Sequence, residues 1–241
     1  EDLGDGLIAR LATDAKTEPR LYLTATEALM ALHAAKPPKD LPVATPEVLA
    51  NMVDLAFSHY ADRPEAAAEA AEILLPILQM HAAPADVMIL RDYHAENILE
   101  LPDRAGPARA GLLDFQDAMI GHRAYDLVSL LHDIRRTVGP EAQSAALAHY
   151  VSATGQHRPD FEASFHVLGA QRNLRILGVF ARLATDHAKP RYLDLLPAVW
   201  QRLQTELAHP VLQPLARFLD AVLPAPDEHL IKRLKNTCRN P

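Results

Sequence analysis

A mainly helical α+β fold with one small β-hairpin region is what this sequence predicts, on three observations. Alanine and leucine dominate, while glycine is held to 9 of 241 residues and aromatics to 5%, a balance that favours helices. Long stretches repeat their apolar residues at helical spacing. Between residues 86 and 115 that pattern gives way to three short apolar runs divided by turn-forming text, the mark of strands and hairpins.

Taken in order, the opening EDLGDG is an acidic, turn-rich lead into a helix starting near Gly6. A helix over residues 19–35 stops at Pro37-Pro38, because proline cannot continue one. TPEVLANMVDLAFSHY supplies an N-cap, Thr45, a proline at the first helical position, and Leu49, Met52, Val53, Ala56 and Tyr60 on one face, predicting a single helix. Residues 64–80 form an alanine-rich helix that Pro76 is expected to kink. DVMIL, NILEL and ARAGLLDF then read as strands, with PDRAGP turning between the last two. Helices resume over 124–136, 141–153, 161–184, 192–207 and 211–223, and the tail from Ile231 looks poorly tied down. No internal repeat is visible.

The charge and motif content excludes several classes. A net charge of −7 disfavours a general nucleic-acid binder, whose affinity needs clustered positive charge. The single cysteine, Cys238, forbids an intrachain disulfide and fits a reducing cytoplasm. No apolar run reaches the roughly 18 residues of a membrane span, and the acidic start is unlike a secretory leader. H-E-x-x-H, paired cysteines, Walker A, G-x-S-x-G and G-x-G-x-x-G are all missing, which argues against zinc, P-loop, α/β-hydrolase and dinucleotide chemistry.

The informative stretch is the β island. Asp92 follows the run VMIL, Asn97 lies five residues on, and Asp114 ends AGLLD, 22 residues after Asp92. Phosphotransfer needs a carboxylate that positions and deprotonates the attacking hydroxyl, and an Asn and an Asp that hold Mg²⁺ against nucleotide phosphates. The D-x-x-x-x-N element alone is weak. An intervening hairpin that returns Asp114 to Asn97 makes the combination stronger; chance capping of a turn and a strand end is the competing account.

LRDYHAENIL, GLLDFQDAMIGHRAYDLVSLL and QRNLRILGVFARLA resemble the aminoglycoside phosphotransferase and choline kinase superfamily, and most of all the cell-wall-recycling kinases that phosphorylate the anomeric hydroxyl of N-acetylmuramate and N-acetylglucosamine. The resemblance implies a protein-kinase-like C-terminal lobe, a cytoplasmic sugar kinase using ATP and Mg²⁺, no nucleic-acid or membrane partner, Asp92 as catalytic base, and Asn97 and Asp114 as metal ligands. Asp126 would brace the catalytic loop together with Arg91; a first-turn helix acid placed for the dipole gives the same residue. Where the family commonly has histidine two positions before the base, this chain has Leu90. His94, Gln116 and Asp117 are acceptor candidates, a solvated loop histidine being the other reading of His94. On the segment QRNLR, with Gln171, the resemblance assigns Arg172, Asn173 and Arg175 to the acceptor; ordinary interhelical pairing is the alternative.

EDLGDG resembles the interlobe hinge of these kinases, which makes the Glu1 carbonyl and the Leu3 amide candidate adenine partners; an acidic loop is the bland reading. On the hinge reading residues 1–6 are a hinge remnant, 7–225 the C-lobe and 226–241 a tail. The N-terminal lobe, with its glycine-rich loop, strand lysine and partner glutamate, would then precede Glu1, since Lys16 and Lys36 lie in no strand pattern. These residues alone are expected not to turn over. Two alternatives stand beside the sugar kinase: an aminoglycoside or choline kinase, and a truncated, non-catalytic kinase-like binding module.

Overall fold

The computed structural model describes residues 3–237, and its contacts divide the chain into two compact units. One combines the chain up to Ala44 with Pro84–Phe165; the other combines Thr45–Ala83 with the chain from His166 on. Each unit is closed by segments distant in sequence.

The first unit holds α1 (Ile8–Leu11), α2 (Thr17–Ala34), strands β1 (Val87–Ile89), β2 (Ile98–Glu100), β3 (Ala110–Leu112) and β4 (Met119–Gly121), then α5 (Ala124–Leu131) and α6 (Pro140–Ala153). Its core is the contact of α2 with α6 and α5: Leu21, Tyr22, Ala25 and Leu29 meet a helix in which every residue from Ala124 to Leu131 is buried. Such complete burial explains why α5 shows no polar face in sequence.

Four strands are present where the sequence suggested three. β2 and β3 form the expected antiparallel hairpin, with Ile98 opposite Leu112. β1 pairs with the unforeseen β4, Ile89 opposite Met119 and Val87 opposite Gly121. A segment before Thr45 adds to that edge, for Ile120 N donates to Pro42 O at 2.8 Å and Ala44 N to Ile120 O at 2.8 Å. Leu7 bridges to Leu99, and Glu100 N donates to Gly6 O at 2.8 Å, so the N-terminal segment lies along β2, ahead of a helix that begins at Ile8 rather than Gly6.

The helix expected over 124–136 ends at Leu131. Asp133 Oδ1 captures Arg135 N at 2.9 Å, and Arg136 turns back to the N-terminal helices. Its guanidinium donates to Ala9 O (3.2 Å), Ala12 O (2.7 Å) and Glu18 Oε1 (3.0 Å) and lies 5.9 Å from the Tyr22 ring centre. Glu18 Oε2 accepts Gly139 N at 2.8 Å. These bonds offset the helical propensity of the segment.

The second unit holds α3 (Pro46–Asn51), α4 (Ala66–His81), the continuation of α7 (Arg158–Thr185, which starts in the first unit), α8 (Leu196–Leu207), α9 (Gln213–Val222) and α10 (Glu228–Thr237). Thr45 caps α3 as expected, its Oγ1 accepting Val48 N at 3.3 Å, and α4 runs through Pro76 to His81. The predicted helix over 45–60 is broken instead: α3 ends at Asn51, and residues Ala56–Ala61 make a wide π-type turn closed by Asp62 at φ 61°. The cause is non-local. Gly178 of α7 lies against the backbone of Leu55 and Ala56, where a Cβ would overlap both. The tail is also corrected, because α10 is capped by Asp227 Oδ1 on Leu230 N (2.7 Å) and buries Leu230 and Leu234; Cys238 lies outside the described residues.

Gly178→Ala should destabilise the protein by about 3 kcal/mol, overriding the roughly 1 kcal/mol that helix propensity would gain; denaturant titration checks this, and a raised midpoint would contradict the close approach. A pH dependence follows from two histidines of the first unit, His122 buried and His33 half-buried. Burial, with Arg123 adding repulsion, holds His33 down at about 3 and His122 at about 4; His33 Nδ1 lies 2.7 Å from the Tyr150 hydroxyl. The unfolded chain takes up these protons near pH 6.5, so stability is full above that value and falls as pH drops toward 4 and then 3, by about 1.4 kcal/mol per pH unit for each histidine. His33→Gln should flatten that slope in denaturation midpoints measured between pH 7.5 and 5.

Candidate active site

The site is assembled at the ends of the two small sheets of the first unit. β1 delivers the chain to Leu90, Arg91 and Asp92, and the loop there is held by a carboxylate from below. Asp126, in the first turn of α5 and fully buried, accepts Leu90 N at Oδ2 (2.6 Å) and Arg91 N at Oδ1 (2.9 Å). Ser129, one turn further along, donates its hydroxyl to Arg91 O at 3.3 Å. A buried charge costs least when each oxygen receives a hydrogen bond, and bonds to a carboxylate are the strong ones.

Those bonds sustain an uncommon backbone. Arg91 has φ 71°, a left-handed conformation that costs a non-glycine residue on the order of 1 kcal/mol. Past the turn Asp92 is half-buried while Tyr93 goes inward, its hydroxyl donating to Ala25 O of α2 at 2.7 Å; full burial pushes this phenol well above its ordinary range. His94 N and the Asn97 side-chain amide both donate to Asp92 O, at 3.1 and 3.0 Å, closing the loop on itself. His94 is 4% exposed, with Nε2 3.4 Å from Asn97 Nδ2, so it lies beneath the asparagine.

The β2–β3 hairpin performs the return that the spacing suggested. Leu113 N donates to Asn97 O at 2.9 Å, extending the ladder by one residue, and Asp114 emerges with Oδ2 3.4 Å from Asn97 Nδ2. Asp114 has φ 57°, the second left-handed non-glycine residue of the site. Gln116 donates to Asp114 Oδ1 at 2.7 Å, and Ala118 N closes a turn onto Phe115 O at 3.2 Å. β4 then pairs with β1, which sets this turn beside the Asp92 loop, and Arg91 Nη1 reaches Asp117 O at 3.4 Å.

The donors suit a hard divalent cation. The Asp114 carboxylate stands beside Asn97, whose Nδ2 donates to Asp92 O and to Asp114 Oδ2 and whose amide oxygen accepts no hydrogen bond among the described residues. Among the described residues no three His, Cys, Asp or Glu side chains converge on one point. Mg²⁺ fits such a place, since it takes one or two protein oxygens and completes its shell with water and phosphate.

The remaining sequence candidates are Leu3 and Glu1 at the start of the chain and the polar residues of α7. Leu3 is half-buried, its side chain against Gly111, and Glu1 lies outside the described residues. Gln171, Arg172 and Asn173 of α7 belong to the second unit and are buried, Arg175 is half-buried, and Gln171 Nε2 donates to Leu49 O at 2.9 Å, tying α7 to α3. Sequence reasoning missed Ser129 and Gln116 as supports of Arg91 and Asp114. The signal for Ser129 was a lone hydroxyl in AYDLVSLL, three residues after Asp126.

A braced loop aspartate with an Asn and an Asp brought together by a hairpin is the layout that a kinase-type phosphotransferase requires. The chain belongs to the phosphotransferase enzyme family, whose model matches residues 3–163. It is 42% identical over 245 residues to an N-acetylmuramate/N-acetylglucosamine kinase of Caulobacter vibrioides, covering 93% of this chain and 66% of that protein. A protein of the same name from Pseudomonas aeruginosa is 32% identical over 51% of this chain and 37% of its own length. The chain thus spans about two thirds or less of the curated relatives it matches. A choline/ethanolamine kinase family protein from Mesorhizobium loti shares the fold, with a TM-score of 0.61 at 18% identity over 86% of this chain and 67% of that one.

Asp126→Ala should cost about 2 to 4 kcal/mol, because it orphans two backbone N–H groups, one of them on a residue only 4% exposed. Chemical denaturation reads this, and Asp126→Asn, which can satisfy one of the two groups, should lie between it and the native protein.

Proposed function

We propose that this chain carries the catalytic loop and metal ligands of an ATP-dependent sugar kinase that phosphorylates a hydroxyl of N-acetylmuramate or N-acetylglucosamine. The observation that carries the reading is the convergence of Asn97 and Asp114, 3.4 Å apart, beside the loop that carries Asp92. The named activity of the relatives supports the substrate class.

In this mechanism Asp92 accepts the proton of the acceptor hydroxyl and aligns its oxygen with the γ-phosphate of ATP. Asn97, through its amide oxygen, and Asp114, through its carboxylate, would hold Mg²⁺, which when bound neutralises phosphate charge. Asp126 and Ser129 keep the loop backbone in its left-handed turn, so that Asp92 pays little reorganisation when substrate arrives. His94 supports Asn97 from below. Glu1 and Leu3 are the proposed adenine contacts, and Asp117, Arg172, Asn173 and Arg175 the acceptor candidates. No lysine stands in any strand of the described residues; the glycine-rich loop and phosphate-gripping lysine that such chemistry uses would come from an N-terminal lobe, matching the 66% coverage of the Caulobacter relative. The cytoplasm, where ATP is found, is the proposed location. No helix of the described residues is long and apolar enough to cross a membrane.

The experiment uses the full-length protein with ATP, Mg²⁺ and a panel of N-acetylmuramate, N-acetylglucosamine, an aminoglycoside and choline. Phosphorylation of the two sugars is expected, and Asp92→Ala should lower kcat by about 10³-fold. Turnover of only the aminoglycoside or choline would overturn the substrate class, and a fully active Asp92→Ala would overturn the role of the base. Absence of Mg²⁺-ATP binding by the full-length protein would favour a binding module.

A further inference from the structure

Four arginines of the first unit are half-buried: Arg91, Arg109, Arg123 and Arg136. Three of them are neutralised, Arg109 by Glu100 at 2.7 Å, Arg123 by Asp86 at 2.6 Å and Arg136 by Glu18 at 3.0 Å. Arg91 has no carboxylate within ion-pair distance among the described residues, and its guanidinium makes one long hydrogen bond, 3.4 Å to the carbonyl of Asp117.

Arg91 also occupies a place where its side chain is a liability to the fold. At φ 71° glycine would adopt the same turn without strain, and the fixed backbone uses only the N–H and carbonyl, which any residue supplies to Asp126 and Ser129. Nothing in the scaffold needs the guanidinium. Its location is nevertheless narrowly set, because clamping the backbone on both sides directs the side chain from the Asp92 loop across to the turn after Asp114. That seam joins the loop of the proposed base to the turn that follows the proposed metal ligand, in a chain of net charge −7 whose Asp92, Asp114 and Asp117 belong to the same two segments and repel anions.

Resting on the phosphotransferase reading, we propose that Arg91 is an anion-binding residue of the site, its guanidinium gripping a planar or tetrahedral oxyanion of the reactants at the seam between the two loops. Two groups share that chemistry: the carboxylate of N-acetylmuramate and the phosphoryl group being transferred. An arginine fork suits either, since both present paired oxygens to two N–H donors. The bond to Asp117 O is the weak resting contact that such a ligand replaces.

Arg91→Gly is the variant of choice, because glycine relieves the backbone and the unfolding midpoint should not fall. With the full-length protein, kcat/KM should drop about 10- to 100-fold, and Arg91→Lys should restore part of it by keeping the charge without the fork. A loss confined to N-acetylmuramate and spared with N-acetylglucosamine assigns the acceptor carboxylate; an equal loss with both sugars assigns the phosphoryl group. Native rates with both sugars in Arg91→Gly would overturn the inference while leaving the kinase reading intact. If the native protein turns over neither sugar, the kinase reading fails, and calorimetric titration of inorganic phosphate and of N-acetylmuramate then decides: weaker binding of one of them by Arg91→Gly supports the anion grip, and equal affinities for both overturn it.

Discussion

One buried carboxylate carries the loop of Asp92. Asp126 is sealed from water, and its two oxygens are each spent on a backbone N–H, of Leu90 and of Arg91. That pairing makes the burial of a charge tolerable and, in the same stroke, makes an unfavourable backbone turn tolerable. Past the left-handed Arg91, Tyr93 goes inward and anchors the loop to α2. Ser129 on Arg91 O, Tyr93 on Ala25 O, and His94 N with the Asn97 amide on Asp92 O complete the restraint of the loop.

The two sheets serve as rails for this loop. Each has only two short strands, and such ribbons are marginal by themselves, so their stability comes from the helices they lie on and from the flanking segments that add to them at Pro42–Ala44 and Gly6–Leu7. Their value lies in register. The β2–β3 pairing puts Asp114 two residues beyond Leu112, the partner of Ile98, and the β1–β4 pairing folds the next turn back beside Arg91. A shift of one residue in either ladder would invert the facing of every side chain in it and separate the residues that the site needs together.

Most helices were legible because their signals are local: the Thr45 cap and the sustained apolar period of α7. The core of the site was legible for a related reason, since Asp92, Asn97 and Asp114 are placed by a loop and a hairpin contained within 23 residues of text. What escaped was non-local. β4 is three residues long and is a strand only because β1 needs a partner. The break after Asn51 is caused by Gly178, far along the chain, and the early end of α5 by Arg136 turning back to Ala9, Ala12 and Glu18. The terminal helix α10 is weakly helical by its own apolar content and is held through Leu230, Leu234 and the bond of Arg233 to Tyr60 O at 3.1 Å. His94 read as either an acceptor contact or a solvated loop histidine; its burial at 4% exposure accompanies the closure of the loop at Asn97.

The same distinction governs charge. From composition, a net −7 says only that anions are repelled on average, yet an enzyme handling phosphate needs positive potential at one place. The structure separates the two demands. Structural arginines are consumed by structural carboxylates, each pair closed within a few ångströms and contributing little field beyond it, as Arg20 and Arg109 do by sharing one oxygen of Glu100 at 2.7 Å each. Screening and pairing make such charges nearly silent at a distance. An arginine left unmatched beside the catalytic loop is therefore not one charge among 24 basic residues but a large share of the local potential. On the proposed reading, acidic surroundings would sharpen that effect, because they would disfavour stray anions and favour ligands able to engage the cation and a metal together.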